Sequence, residues 1–267
     1  MSRRLSRRYV LARALRTGST LVIPSWLVSK PADAAPALPT PDEQKAVGAQ
    51  ATEEILKKYP QVKDRRLSPF QTVGNRLLKG LPQQYRQTWD WKFYVLETKE
   101  ANAFAVPGGH VFMLTGLYAL MTTEDALAAV TGHELAHVYR EHWAKAYVKQ
   151  QQRRRVVVLG TLLAGNKGAA LGWGALLATV FKQKFSREEE DEADALGLND
   201  MVAAGYNPQG MIQLFQIFQA QGGERASAFL SDHPLTSDRI KRTQSRIAQM
   251  GSRTFPPVKP LNYAALR

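Results

Sequence analysis

The pentapeptide His-Glu-Leu-Ala-His at residues 133–137 constrains this chain most, since it lies within an apolar run with helical periodicity. A helix brings residues four apart onto one face, so the rings of His133 and His137 can reach a single metal ion. Glu134 lies one position round the helix, where its carboxylate can take a proton from water without binding the metal. Such a pentapeptide arises by chance on the order of once per hundred chains of this length. The pattern predicts a zinc site and requires a third ligand.

Composition limits the ligands and the partners. The 267 residues include no cysteine, so any metal must be bound by histidine and carboxylate. A formal charge of +13 would suit nucleic acid or an anionic membrane as a partner. Seven basic residues and one acid, however, fall within the first 34 positions. No basic motif with interleaved aromatic residues follows, so we predict no nucleic-acid partner.

Residues 1–34 have the composition of a targeting segment. They are rich in arginine, include an apolar stretch at 21–28, and end in Ala-Asp-Ala at 32–34. The run Ser-Arg-Arg-Tyr-Val-Leu at 6–11 resembles a twin-arginine export signal. We therefore expect a signal peptide and export to the periplasm or cell envelope. A mitochondrial or thylakoid transit peptide, or an uncleaved anchor, is the alternative.

The next segments predict helices followed by a small sheet. Thr40, Pro41 and Glu43 form a capping box and a first helical position, opening a helix to about residue 58. A second helix should span 68–80, and Thr122 should cap the helix that carries the pentapeptide. The strands are rich in β-branched and aromatic residues, and we expect them to form a small antiparallel sheet. They are predicted at 91–98, 103–106 and 110–114.

The second half of the chain is predicted to be helical. Residues 156–181 are apolar but interrupted near the middle, which favours a buried or membrane-touching hairpin over a true span. Caps and glycine stops predict three further helices, the last with Arg239 on its solvent face. Their expected ranges are 186–204, 207–221 and 236–250. A Pro-rich tail occupies 253–267, and the whole pattern predicts an α+β, predominantly helical fold of the zincin type.

The third ligand must be a carboxylate. Arg140 and Trp143 occupy the positions where metzincins have glycine and histidine, which excludes that class. His142 is five residues past His137 and should point away from the metal, as a surface or packing residue. The acidic run at 186–197 places Glu190 and Asp194 four apart on one helical face. The same run could equally be a solvated helix start favoured by the helix dipole.

Together, these motifs resemble the HtpX and CAAX-prenyl-protease family of zinc endopeptidases, which are gluzincins. The resemblance also covers Asn-Ala-Phe-Ala-x-Pro-Gly-Gly from residue 102 and His-Pro-x-x-x-x-Arg from residue 233. It implies a metallopeptidase domain at 35–252, with one zinc ion bound by His133, His137 and Glu190. Asp194 would support a ligand from behind. The chain is most similar to periplasmic BepA-like or mitochondrial inner-membrane members, without a helical-repeat tail.

Further roles follow from the chemistry of peptide hydrolysis. Glu134 would act as general base, and Asp194 would accept a hydrogen bond from the second ring N–H of a ligand histidine. His233 is the first choice of oxyanion donor, with Arg239 and Tyr206 as the other candidates. An extended substrate should pair with the strand that runs through four residues after position 101. These four are Asn102, Ala103, Phe104 and Ala105. His110 is predicted to be an ordinary strand residue.

The sequence thus predicts a metalloendopeptidase that hydrolyses misfolded or membrane-associated proteins of the cell envelope. Its partners would be unfolded polypeptides, with peripheral membrane contact through residues 156–181. The alternative is a non-catalytic, chaperone-like relative that binds polypeptides in the same groove. Glu134 favours the enzyme, since a binding protein needs no general base there. A prenyl-protein processing enzyme would need several membrane spans.

Overall fold

The computed structural model describes residues 38–154, 184–220, 227–261 and 263. The chain divides into two units, one of Thr40–Ala146 with Gln183–Arg267 and one of Met1–Pro39 with Tyr147–Lys182. The elements below belong to the first unit, except for most of α6. The predicted signal peptide and the apolar segment at 156–181 lie outside the described residues. Where the chain is described, no helix combines the length and apolar character needed to cross a bilayer.

Helices dominate the described part of the chain, and the predicted α+β fold class is confirmed. Three short strands lie between the third and fourth of these helices. The helices are α1 Pro41–Lys58, α2 Leu67–Gly80, α3 Gln83–Thr88, α4 Thr115–Tyr118, α5 Glu124–Tyr139, α6 His142–Arg154, α7 Arg187–Ala203, α8 Gln209–Ala220, α9 Ser227–Asp232 and α10 Ser237–Gln249. The strands are β1 Lys92–Leu96, β2 Ala103–Val106 and β3 His110–Leu114.

Local hydrogen bonds cap α1 and α7 at the residues where the sequence predicts these helices to begin. In the capping box of α1, the Glu43 backbone N–H donates to the Thr40 hydroxyl over 3.3 Å, and the Thr40 N–H donates to the Glu43 carboxylate over 2.7 Å. Ser186 and Glu189 form the same reciprocal pair at the start of α7. Each pair satisfies backbone donors that the first turn of a helix leaves free.

One predicted cap was wrong by a residue. Thr123, and not Thr122, caps α5, because its hydroxyl accepts the Ala126 N–H at 3.0 Å and its own backbone is still extended. The Thr122 carbonyl instead accepts the Leu261 N–H at 2.8 Å, as part of a contact with the C-terminal segment. That contact holds the chain end along the start of α5.

The sheet is mixed, and not antiparallel throughout as predicted. Its strand order is β1-β3-β2: β2 pairs antiparallel with β3, whereas β1 pairs parallel with β3. The turn at Gly108 and Gly109, both at positive φ, joins β2 to β3. β3 is the central strand, and all five of its residues are buried. The sequence indicates where the strands lie but not which of them is central, so the parallel pair was not predicted.

Helix α5 is the centre of the fold. Asp125 to Tyr139 are all buried, as expected of a helix covered on every side. It packs against α7, α8, α2 and β2. Gly132 and Gly197 lie where α5 and α7 meet: a Cβ added at Gly197 would come within 2.8 Å of the His133 backbone N and 2.9 Å of the Gly132 carbonyl carbon. The absence of side chains at these positions sets the distance between the two helices.

A polar contact also joins the same two helices at the end of α5. The Tyr139 hydroxyl at the end of α5 donates to the Asp200 carboxylate on α7 over 2.8 Å, and both side chains are buried. The Tyr139 ring stacks on Tyr85, with ring centroids 4.5 Å apart. Burial raises the pKa of Asp200 to about 6, although the hydrogen bond from Tyr139 acts in the opposite direction. The carboxyl is therefore more easily protonated in the folded protein than in the unfolded chain.

We expect Gly197→Ala to destabilise the protein, although alanine ordinarily stabilises a helix by up to about 1 kcal/mol relative to glycine. The added methyl group would push against the backbone of α5, a form of overpacking that costs about 1–3 kcal/mol. Thermal unfolding should show a lower midpoint. Asn199→Ala, an exposed change on the same helix, is the matched control and should leave the midpoint unchanged or slightly raise it. An unchanged midpoint for Gly197→Ala would show that the two helices can separate freely.

Asp200 should make stability fall as pH rises from about 4 to about 6. Its folded pKa is about 6, above the ordinary 3.8, so the folded state holds the proton longer and ionisation favours unfolding. The loss should reach at most about 3 kcal/mol and stay constant above that window. Asp200→Asn, which cannot ionise, should lack this loss in denaturant unfolding followed across pH. The exposed Asp238→Asn is the control. A stability difference between Asp200→Asn and the parent that is flat from pH 4 to 7 would contradict the assignment.

Candidate metal centre

Four buried side chains from three parts of the chain converge on one point. His133 and His137 come from α5, Glu190 comes from α7, and His233 follows α9. One nitrogen or oxygen atom from each lies within 4.8 Å of the corresponding atoms of the others. Nε2 of His137 is 3.0 Å from Nε2 of His133 and 3.4 Å from Oε1 of Glu190. The structure thus brings together the three predicted ligands and adds a fourth group, the imidazole of His233.

His233 completes this buried cluster. Its Nδ1 atom is 2.9 Å from Oε1 of Glu190 and 3.2 Å from Nε2 of His133, and its Nε2 atom is 3.6 Å from Oε1 of Glu134. Burial alone would lower the pKa of His233, but the carboxylates of Glu190 and Glu134 raise it to about 9. The protein's own charges therefore favour a cation at this point.

Glu134 faces the cluster from the neighbouring position on α5. Only 2% of the residue is exposed, and burial raises the pKa of its carboxyl group. The Ala105 backbone N–H donates to this carboxylate, which ties Glu134 to β2. Its Oε1 atom is buried and has no hydrogen-bond partner among the described residues. A buried carboxylate oxygen without a donor is uncommon and indicates a missing polar partner.

Asp194 and Arg239 hold the first histidine from behind. Oδ1 of Asp194 is 3.1 Å from Nδ1 of His133, and Arg239 donates to both Asp194 oxygens over 2.7 and 2.8 Å. Burial would raise the pKa of Asp194, but the hydrogen bonds from Arg239 and His133 keep it below its ordinary value. Arg239 is 6% exposed, so its predicted place on the solvent face of α10 was wrong. Its guanidinium also donates to the Pro234 carbonyl over 2.9 Å.

His142 is a buried packing residue outside the cluster, in line with the prediction, but its contact with His137 was missed. It is fully buried, and its Nδ1 atom lies 2.9 Å from Nδ1 of His137, on the side of that ring facing away from Glu190. Its Nε2 atom lies 2.9 Å from the Glu192 carboxylate. The prediction assumed that the helix of His137 continues to residue 142. In fact α5 ends at Tyr139, and Glu141 has a positive φ of 56°, so the chain turns back before α6.

One residue beside the cluster was missed from sequence, and one candidate residue lies elsewhere. The ring of Phe185 stacks on His137 with centroids 4.0 Å apart. Its only signal in the sequence is its position just before the Ser186 cap, where an apolar residue commonly packs. Tyr206, a possible oxyanion donor, lies instead beside Arg76, whose guanidinium carbon is 4.2 Å from the ring centroid.

The predicted substrate strand forms one edge of the sheet. β2 pairs with β3 on one side, while the Ala105 N–H points from its other side to Glu134. Asn102, just before β2, forms a side-chain hydrogen bond with Asp232 at the end of α9. Asn102 and Ala103 are buried, whereas Phe104 and Ala105 are half-buried. His110 contacts the Thr52 hydroxyl over 2.7 Å and joins β3 to α1.

The donor set suits a zinc ion. Histidine nitrogens and one carboxylate are the ligands of catalytic zinc sites, which keep one position for water or substrate. Three buried carboxylates lie together here, those of Glu134, Glu190 and Asp194. Among the described residues, Arg239 is the arginine that pairs with them, through Glu190 and Asp194. Burial would raise the pKa of Glu190, but the nearby histidines lower it well below its ordinary range, so this carboxylate is ionised. A divalent cation would balance this concentration of negative charge.

Comparison with known proteins places this geometry in a family. The model of peptidase family M48 matches residues 65–247, a range that contains the whole cluster. The Beta-barrel assembly-enhancing protease of Yersinia pestis is 28% identical over 78% of the chain. The Mitochondrial metalloendopeptidase OMA1 of Schizosaccharomyces pombe is 30% identical over 76% of it. Metalloprotease LoiP of Escherichia coli strain K12 is 27% identical over 78%.

These relatives differ in length from the chain. The matched region covers 45% of the Yersinia protein, 60% of the yeast protein and 77% of LoiP. The chain thus spans about half the length of several curated relatives that it matches. The similarity reaches beyond the cluster to most of this chain, and it confirms the resemblance that the motifs indicated.

Proposed function

The chain belongs to peptidase family M48, and on that basis we propose that it is a zinc-dependent endopeptidase with one zinc ion per chain. We assign His133, His137 and Glu190 as the ligands. The observation that carries the proposal is the convergence of these side chains, with Glu134 beside them, in a buried cluster whose ligand atoms lie within 4.8 Å of one another. Family M48 metallopeptidases use zinc, and the donor set here is the one that zinc prefers.

The chain's own residues divide the work of peptide hydrolysis. Zinc, when bound, activates a water molecule and polarises the scissile carbonyl. Glu134 takes the proton from the attacking water and passes it to the leaving amine. Its raised pKa suits this task, because a base with too low a pKa would not accept the proton. Asp194 accepts a hydrogen bond from the Nδ1–H of His133 and so leaves Nε2 of that ring free to bind the metal.

His233 has a separate role in this proposal. Its ring lies within 3.6 Å of Glu134 and 2.9 Å of Glu190, where it could donate to the oxygen that becomes negative during the reaction. It is also close enough to serve as a fourth ligand. Arg239 is already bonded to Asp194 and Pro234, so we assign it to positioning those groups and not to the oxyanion.

The substrate is proposed to be extended polypeptide bound along β2, at residues 102–105. An edge strand next to the catalytic groups offers backbone hydrogen bonds that any unfolded chain can use, so recognition would depend little on side chains. Misfolded or membrane-associated proteins of the cell envelope fit this mode of binding. The names of the relatives, a β-barrel assembly-enhancing protease and a mitochondrial metalloendopeptidase, support a periplasmic location or the organelle alternative.

The remaining assignments from the sequence stand as parts of the same proposal. Residues 1–34 act as the signal peptide, 35–252 form the metallopeptidase domain, and 253–267 are the tail. The segment at 156–181 would provide the peripheral membrane contact.

Glu134→Gln should retain zinc and lose casein cleavage by at least about a hundredfold, because the amide cannot accept the proton. Zinc content and the rate of casein cleavage are measured on the same preparation. Glu53→Gln, an exposed change on α1, is the control and should cleave at the parent rate. Equal cleavage by Glu134→Gln and the parent would refute the proposed mechanism. Polypeptide binding by a parent protein that cleaves nothing would favour the chaperone-like alternative.

Glu190→Gln should bind zinc far more weakly than the parent, because it replaces the one charged ligand of the set with a neutral amide. Zinc retained after dialysis is measured by elemental analysis, and a chelator should abolish the parent's activity until zinc is restored. Glu188→Gln, on the exposed side of the first turn of α7, is the matched control and should retain a full equivalent. A full equivalent in Glu190→Gln would contradict the ligand assignment.

A further inference from the structure

The two histidines of α5 are supported in different ways. Nδ1 of His133 contacts a carboxylate, with Oδ1 of Asp194 at 3.1 Å. Nδ1 of His137 instead contacts a second imidazole, with Nδ1 of His142 at 2.9 Å. The Glu192 carboxylate follows, 2.9 Å from Nε2 of His142, and Arg140 lies 2.6 Å from its other oxygen. A line of hydrogen bonds therefore runs outward from His137.

Only one arrangement of protons satisfies both this line and a metal. Two ring nitrogens 2.9 Å apart need one proton between them. If Nε2 of His137 gives its lone pair to a metal, the proton of that neutral ring must be on Nδ1, which donates to Nδ1 of His142. The proton of His142 is then on Nε2, where it donates to Glu192. Each group in the line fixes the tautomer of the next.

The backbone between the two histidines is arranged to bring them together. In a continuous helix, residue 142 would lie well round the axis from residue 137. Glu141 instead adopts a positive φ of 56°, which is uncommon for a residue with a Cβ atom. The Gln44 side chain of α1 donates to the Glu141 carboxylate over 2.6 Å and holds this turn. The unfavourable backbone conformation of Glu141 is thus maintained at the turn that brings His142 into contact with His137.

We propose that His142 is a positioning residue that, with Glu192, fixes the metal-binding tautomer and orientation of His137. The inference rests on the proposed zinc site. His142 does not touch the metal or the substrate, and it acts only through the ring that does. Removing a residue in such a position ordinarily weakens metal binding by about 10- to 100-fold.

The test compares zinc affinities of full-length variants, measured by competition with a chromophoric chelator. His142→Ala should bind zinc about 10- to 100-fold more weakly than the parent. His142→Asn should recover most of this loss, because its amide oxygen stands near the former Nδ1 position and can accept from His137. His110→Ala also removes a buried imidazole, but one that contacts Thr52 outside the cluster, and its zinc affinity should equal the parent's.

Other outcomes separate the two proposals. A parent protein that binds no zinc would refute the proposed function itself. Parent-like affinity in His142→Ala would refute the role of His142, and so would an equal loss in His142→Asn, which would indicate packing alone. Glu192→Ala changes a side chain that is 35% exposed and so should fold. It should weaken zinc binding in the same direction but less, and if His142→Ala does not fold, unchanged affinity in Glu192→Ala would refute the proposal.

Discussion

The structure depends on keeping three carboxylates, those of Glu134, Glu190 and Asp194, inside a protein core. Each is no more than 2% exposed, and an unpaired charge at such depth costs several kcal/mol. Arg239 compensates part of this charge through Asp194 and Glu190, and the histidines compensate more only when one of them is protonated. A zinc ion would supply the rest. The same charges that would destabilise an ordinary core are therefore what makes this one suitable for a metal.

Such a cluster requires a rigid support, which the contact between α5 and α7 provides. The absence of side chains at Gly132 and Gly197 allows the helices to approach closely at the level of His133, and Tyr139 joins them again through Asp200. Three of the four clustered side chains extend from this helix pair, so their geometry is set by backbone packing and not by a loop. His233 is the exception, because it follows the short helix α9.

The features that could be predicted from sequence are those determined by neighbouring residues. The capping box at Thr40, the limits of β2 and β3, and the spacing of His133 and His137 all follow from local chemistry. The parallel pairing of β1 with β3 could not be predicted, because it depends on which strand the rest of the core buries. Arg239 was misplaced for a related reason. As a charged residue of α10 it was expected to face solvent. Only the fold brings it to Asp194, whose carboxylate can pair with a buried guanidinium.

His142 shows where local reasoning fails within the site itself. Helical spacing excluded it as a ligand, and it lies outside the cluster, but the same spacing hid its contact with His137 because α5 ends at Tyr139. The positive φ of Glu141 ends the helix, yet glutamate is not a residue that usually marks such a turn. The turn is maintained by a hydrogen bond from Gln44, which is 97 positions away in the chain. Support for the proposed ligands is therefore distributed over distant parts of the sequence, because a histidine that binds a metal almost always has its second ring nitrogen hydrogen-bonded as well.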